Sequence, residues 1–357
     1  MVLVFTAATR AQSVKVPFDS DVWDLSNATY SLQDFEGKQS LLLQSGFLFI
    51  KDLEFLNGTI ELDINFSSLR NFPGVGFRMY SPGNFEEFYI RPHQSGNPDA
   101  NQYTPVFNGL AGWQLYHGEQ YATAIPYTFN QWHHLKIVVK GNQAWIYFDD
   151  MEKPLLVVDE LKQETKAGTL GLRTRANVHF ANFEYTLDPN TYPEAPVKNN
   201  HEDGQITTWD LSQIQNDDSF QEKYQLTNRD LKDIQWISRP VESSGLLNIA
   251  KYLKIENGKA TAVARLKIES NAKQIKKLDF GYSDLVQVYV NNQLVYSGGN
   301  AFMSRDYRYL GTIGYFDSVY LPLKKGTNEV LLVVKENFGG WGVQAIMVDR
   351  QGVVINP

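Results

Sequence analysis

The feature that most constrains this chain is alternation. Runs in which apolar and polar residues change places at every step recur along its 357 residues: GTIELDINF (58–66), GVGFRMY (74–80), FEEFYIRP (85–92), GWQLYHG (112–118), HHLKIVVKG (133–141), QAWIYFDD (143–150) and HFANFEYTL (179–187). The 3.6-residue period of an amphipathic helix is nearly absent. Runs of β-branched and aromatic residues with period two, broken by Gly, Asn and Pro, predict the strands of a sandwich. Only Gly141-Asn142 separates KIVVKG from QAWIYFDD, which is hairpin chemistry, so those two strands are predicted to be adjacent and antiparallel.

After Tyr185 the alternation lapses into LDPNTYPEAPVKNNHEDGQ, a Pro-rich polar stretch that reads as a domain boundary. It resumes in ATAVARLKI (260–268), KKLDFGYS (276–283), LVQVYVNNQLVYSG (285–298), DSVYLPL (317–323), TNEVLLVVKEN (327–337) and GVQAIMVD (342–349), where Asn291-Asn292 marks a tight turn. Residues 211–255 are less regular, and SFQEKYQLTNRDLKDIQWI fits either one short helix or strand-capping segments. The expected fold class is all-β, with two β-sandwich domains in series at 14–188 and 206–357 and a linker at 189–205. The length fits two domains, each large enough to bury a core.

Composition narrows the partners. There is no Cys, so disulfides, thiolate metal sites and a Cys nucleophile are all excluded, and stability must come from packing. The net charge is −7 with no basic run in the sequence, which argues against nucleic acid and anionic membrane. MVLVFTAATRAQSVKV pairs a short apolar run with small residues, so residues 1–13 are expected to be a signal-peptide remnant or disordered, with an ordinary first strand as the alternative. No later stretch approaches the ~18 to 20 apolar residues of a membrane span. A soluble protein, secreted or periplasmic, is the expectation; nothing fixes its oligomeric state.

The first half resembles the concanavalin A-like superfamily, specifically its laminin-G-like and 3-keto-disaccharide hydrolase-like domains. The resemblance rests on GTIELDINF, GVGFRMY, FEEFYIRPH, WHHLKIVVKGNQAWIYFDD, GTLGLRT and FANFEY, in that order, over roughly residues 15–187. SDLVQVYVNNQLVYSG and LPLKKGTNEVLLVVKENFGGWGVQAIMVD are similar to the galactose-binding-like domains appended to exported glycosidases, over about 260–350. Both resemblances imply jelly rolls. They suggest carbohydrate as the partner without establishing an activity.

Glu61 and Asp63 in ELDI share one strand face, about 7 Å apart along the strand. Glycosidases of the resembled fold use Glu-x-Asp-x-x-Glu in this way, but the third acid falls at Phe66, and a retaining mechanism needs two carboxyls about 5 Å apart. The plainer reading is a solvent-facing pair. Alternation in FEEFYIRPH sets Glu87, Tyr89 and Arg91 on one face and Glu86, Phe88 and Ile90 on the other. Likewise GVGFRMY would bury Val75, Phe77 and Met79 and leave Arg78 and Tyr80 with the polar set. Arg78, Tyr80, Glu87, Tyr89 and Arg91 are therefore expected on one concave surface, where rings stack on sugars and guanidinium or carboxylate groups meet paired hydroxyls. The loop HQSGNPDANQY, with His93 and Asn101, would wall that groove, and Trp113, Tyr116 and His117 would arrive on the next strand. A solvated, ion-paired sheet face is the competing reading.

If the groove is catalytic, Glu87, His93 and Glu61 are the acid/base candidates. His133 and His134 are consecutive on a strand, so they point to opposite faces and cannot share a metal. With six His, no Cys and no His-Glu-x-x-His, no transition-metal site or cofactor is expected; calcium on loop oxygens fits either jelly roll, although no Asp-x-Asp-x-Asp loop marks it. In the second half, Trp341 in NFGGWGVQ and the loop residues Arg305, Tyr307, Arg308 and Tyr309 read either as a ligand edge or as structure. Three classes of function result: a glycan-binding protein with an accessory second jelly roll, a glycoside hydrolase-like enzyme using the same groove, and a structural or adhesive module that binds a protein.

Overall fold

The computed structural model describes residues 13–196 and 201–356. Residues 1–12, which carry most of the signal-like run, lie outside the described residues, and Ser13 opens the first strand. The chain is all-β and forms two compact units. One comprises residues 1–105 and 117–196; the other comprises 106–116 and 197–357.

The first unit is built from β1 (Ser13–Lys15), β2 (Trp23–Phe35), β3 (Lys38–Ile50), β4 (Gly58–Asn65), β5 (Gly74–Ser81), β6 (Asn84–Ile90) and all but the last two residues of β7 (Asn101–Phe107). After the short β8 (Leu110–Ala111), whose residues belong to the second unit, it continues with β9 (Trp132–Lys140), β10 (Gln143–Phe148), β11 (Leu156–Val158), β12 (Thr169–Thr174) and β13 (Val178–Leu187). Its sheet runs β11-β10-β9-β4-β13-β3-β12-β5-β6-β7. The Gly141 turn joins β9 to β10 in antiparallel register, Lys140 opposite Gln143, as the sequence predicts.

Alternation decides which face is buried. Ile60, Leu62 and Ile64 of β4 share one core with Val75 and Phe77 of β5, Phe88 and Ile90 of β6, and Ile137 and Val139 of β9. Strands β4 and β6 stand five places apart in the sheet order, about 24 Å if the sheet were flat, so the sheet must curl over its own apolar face for these side chains to meet.

The second unit contains β14 (Thr208–Ser212), β15 (Trp236–Pro240), β16 (Leu247–Asn248), β17 (Thr261–Ser270), β18 (Gln274–Ser283), β19 (Leu285–Val290), β20 (Gln293–Gly299), β21 (Asp317–Leu323), β22 (Gly326–Lys335), β23 (Gly342–Ile346) and β24 (Val353–Asn356). One sheet runs β15-β14-β17-β22-β19-β20 and a second β16-β23-β18-β21. Residues of both sheets fill one core, among them Ala264, Leu332 and Val288 from the first and Leu278, Phe280 and Val343 from the second. The short helix α1 (Asn228–Leu231) answers the choice left open in the irregular stretch.

Two sequence expectations need correction. The run GWQLYHG is not a strand: Leu115 and Tyr116 both donate to Gly112 O in a tight turn. Leu115 and Tyr116 are buried inside the second unit, and Trp113 is half-buried. Conversely, β2 and β3 form a hairpin without clear alternation in β2, most of which is exposed and polar. Glu36 and Gly37, at φ 45 and 79, make its two-residue turn.

Candidate functional site

Alternation along β6 places Glu87 and Tyr89 together on one face, with Arg91 just beyond the strand end. These residues belong to a larger polar and aromatic assembly. Gly74 of β5 pairs with Tyr89 on one side and with Arg173 of β12 on the other, which brings Arg173 across to Glu87. Arg173 Nε donates to Glu87 Oε1, and Nη2 donates to Oε2 at 2.8 Å, a two-pronged pairing of a planar cation with a carboxylate. Arg91 Nη2 donates to the Tyr89 hydroxyl at 2.6 Å and to Gln102 Oε1, while the Tyr89 hydroxyl donates to Gln102 at 2.9 Å. Two guanidinium groups approach the Tyr89 ring, Arg91 at 4.9 Å and Arg173 at 5.1 Å. Burial pushes the Tyr89 phenol up to about 12, so it stays protonated and remains a donor.

A second ring extends this face. Phe72 lies 6.2 Å from Tyr89, and its ring meets His93 edge-on at 5.2 Å. The guanidinium groups of Arg70 and Arg175 approach Phe72 to 5.4 and 5.5 Å. His93 Nδ1 is buried without a hydrogen-bond partner. Burial and the charges of Arg70 and Arg91 hold the imidazole below its ordinary value, against a smaller opposing pull from Asp99. The loop before β7 is tightly held: Arg91 Nη1 donates to Asp99 O, Gly96 N to Ile125 O, and the Tyr127 hydroxyl to Ala100 O.

Glu87, Tyr89, Arg91 and His93 are thus brought together, and other expected members of the groove are not. Arg78 is fully buried on the core side, donating to Leu56 O at 2.7 Å, Asn57 Oδ1 at 3.2 Å and Gly141 O at 2.5 Å. The cause is a register shift between Phe77 and Ser81, with Arg78 itself at φ 50, which breaks the alternation on which its expected facing relied. There it faces Glu86, another buried group, which accepts from the Tyr103 hydroxyl and Gln163 N. Tyr80 is half-buried and donates to Gln163, with Lys166 over its ring. Asn101 is buried and bonded to Thr123 in both directions. Trp113 and Tyr116 lie in the second unit, where Trp113 meets Phe302 and Phe338 edge-on and the Tyr116 hydroxyl donates to Glu242. His117 is exposed in the loop beyond them.

Glu61 is apart from the Tyr89 face by strand and by partner. With Asp63 it opposes the buried Ile60, Leu62 and Ile64 on β4, but the pair is not the solvent-facing one expected: Glu61 is half-buried and Asp63 is buried under its hydrogen-bond partners. His134 Nδ1 contacts Asp63 at 2.8 Å and its Nε2 contacts Glu61 at 3.2 Å, while Lys38 and Asn182 donate to Asp63 at 2.6 Å. Burial opposes ionisation of Asp63, yet the hydrogen bonds from His134, Lys38 and Asn182 outweigh it and hold the carboxyl at about 2. His133 points the other way, stacked between Phe66 and Phe148. Among the described residues, no three His, Asp or Glu side chains gather as a metal site.

In the second unit Trp341 is buried and donates to Val334 O, so it serves the core. The 305–309 loop carries stacked Arg-Tyr pairs, Arg305 with Tyr309 and Arg308 with Tyr307. Two cavities stand out, and neither borders Tyr89. One of about 310 Å³ in the second unit is lined by Phe220, Thr261, Gln287, Ser297 and Val333; one of about 220 Å³ in the first is lined by Val16, Ile50 and Tyr185. In the Tyr89–Phe72 assembly Glu87, Tyr89, Arg91 and Gln102 are buried, Phe72 is half-buried, and Arg70 and Arg175 are exposed. Sequence reading missed Phe72, Arg70, Arg173 and Arg175, while Gln102 belongs to the loop expected to wall the groove; for Arg173 and Arg175 the alternating Arg-Thr-Arg of GLRTRAN was the available signal, but it could not say which strand β12 would adjoin.

No protein-family model matches the chain, and no curated protein matches it. Solved structures with some likeness include carbohydrate binding module CBM66 from Bacillus subtilis, at 21% identity and TM-score 0.37 over 47% of this chain and 99% of that one. Others are a Bacillus subtilis protein with a galectin-like fold (10%, TM-score 0.33, 45% and 87%) and the Bacillus licheniformis β-glucanase (11%, TM-score 0.33, 52% and 95%). Each likeness spans about half of the chain. At these scores they carry no part of the functional argument.

Proposed function

We propose that the first unit binds a glycan or another polyhydroxylated ligand across the face that carries Phe72, Arg70, Arg173 and Arg175, with the buried Tyr89 and Arg91 behind it. The observation behind this reading is the half-buried Phe72 ring, flanked by the exposed guanidinium groups of Arg70 and Arg175 and backed at 6.2 Å by the buried Tyr89. Rings offer apolar faces to the C–H side of a sugar, and planar donors held beside them suit vicinal hydroxyls. Binding is favoured over turnover because both oxygens of Glu87 already accept from Arg173, and Glu61 is engaged by His134 and Lys136. The second unit is read as an accessory domain. An extracellular or periplasmic location goes with this reading, and cell fractionation tests it.

The test is an oligosaccharide array on the purified protein with product analysis by mass. Binding without new masses is expected. Phe72→Ala should weaken it by roughly tenfold, the order lost when one stacking ring is removed. New product masses would instead favour hydrolysis at this face, and silence on every glycan would remove the sugar reading.

A further inference from the structure

A buried asparagine fastens two loops so that two arginines reach one ring. Asn71, in the loop between β4 and β5, accepts through Oδ1 from Phe72 N at 2.8 Å, Thr174 Oγ1 at 2.9 Å, and Arg175 N and Ala176 N at 3.1 Å, and its Nδ2 donates to Ala176 O at 3.0 Å. Its two neighbours in this lattice, Arg70 on one loop and Arg175 on the other, both come to rest over Phe72. Both are exposed, and among the described residues neither has a carboxylate within ion-pairing distance. The other two arginines of the face are differently placed: Arg173 is bound to Glu87, and Arg91 lies 3.8 Å from Asp99.

Four guanidinium groups therefore face two carboxylates, in a chain whose acidic residues outnumber its basic ones by 40 to 33. Arg70 and Arg175 each hold a planar set of donors beside the same ring with no carboxylate paired to it among the described residues, and an anion bound there would accept from both. We infer that the Arg70–Phe72–Arg175 cluster is a subsite for an anionic sugar residue, one carrying a carboxylate or a sulfate ester. This deepens the glycan reading above and rests on it. The aromatic ring would take the sugar face while the arginines take the acid group.

The test compares neutral, uronate-bearing and sulfated oligosaccharides of equal length by calorimetry, on the wild type and on an Arg70→Gln/Arg175→Gln variant whose fold is checked by its melting temperature. Both changes are at exposed positions and leave Asn71 intact. Tighter binding of an acidic series over the neutral one by roughly tenfold or more is expected, weakening with added salt and lost in the variant. Whether uronate or sulfate gives the larger preference identifies the acid group. Equal binding of neutral and acidic ligands would overturn the anionic subsite and leave the glycan reading standing. An acidic preference that survives in the variant would place the anion elsewhere, and no binding of any series would end both proposals.

Discussion

Glu336 shows how one buried group can set the pH response of a unit. It lies beside Asp284 in the second unit; its Oε1 accepts from Gly340 N at 3.2 Å, and its Oε2 has no partner. Burial pushes Asp284 up as well, but the backbone N–H groups of Asn337 and Phe338 donate to it and favour its carboxylate, so Glu336, with one such donor, is the member that holds a proton more readily. Burial, and then the charge of Asp284, push Glu336 up to about 8 from its ordinary 4.5. The folded chain then holds a proton that the unfolded chain has released. The stability contributed is complete below pH 4.5 and is lost as pH rises through about 8, with a slope of at most ~1.4 kcal/mol per unit. Urea melts at about pH 5 and about pH 9 should show the wild type losing more stability than Glu336→Gln. Equal losses would mean that Glu336 is ionised in the fold. At this scale the sequence was legible wherever alternation holds, as for Glu87 and Tyr89 on one face, and misled where a bulge breaks it, as for Arg78.

Among the elements, the β2–β3 hairpin is where local sequence said least and pairing says most. Eleven residue pairs join its strands, with register shifts between Asp24 and Asn27 and between Thr29 and Tyr30. Gly46 sits opposite Ala28 in this irregular stretch at φ +102, and a Cβ there would stand 2.1 Å from Asn27 O. Gly46→Ala is therefore expected to destabilise the first unit by at least about 1–2 kcal/mol, read as a shifted urea midpoint. An unchanged midpoint would mean the hairpin relaxes freely. The neighbouring β12 shows the same limit in the site. Its run of alternating residues is readable as a strand, but Arg173 meets Glu87 only because β12 pairs with β5, a choice made by contacts nearly a hundred residues apart in sequence.

For the whole molecule, the segment 106–116 crosses the division that composition suggested. It belongs to the second unit, where Gln114 donates to Leu310 O at 2.6 Å, accepts from Ser283 Oγ at 3.0 Å, and exchanges backbone hydrogen bonds with Gly339 and Ile313. Phe107 joins that unit's core. A fragment of residues 201–357 should therefore unfold less cooperatively, and be weaker by more than about 3 kcal/mol, than the same fragment with residues 104–118 joined by a flexible linker, because several buried groups lose their partners. Identical thermal melts would show that the segment is dispensable. The sequence by itself determined the strand class, the main strands of both units, the turn at Gly141-Asn142 and the facing of Glu87 and Tyr89, because alternation and turn chemistry are local. Only the tertiary structure decided that Arg78 turns inward, that Trp113 and Tyr116 pack in the second unit, and that Arg70 and Arg175 meet over Phe72. Those outcomes depend on strand neighbours, bulges and loop ties between distant residues, which no local period encodes.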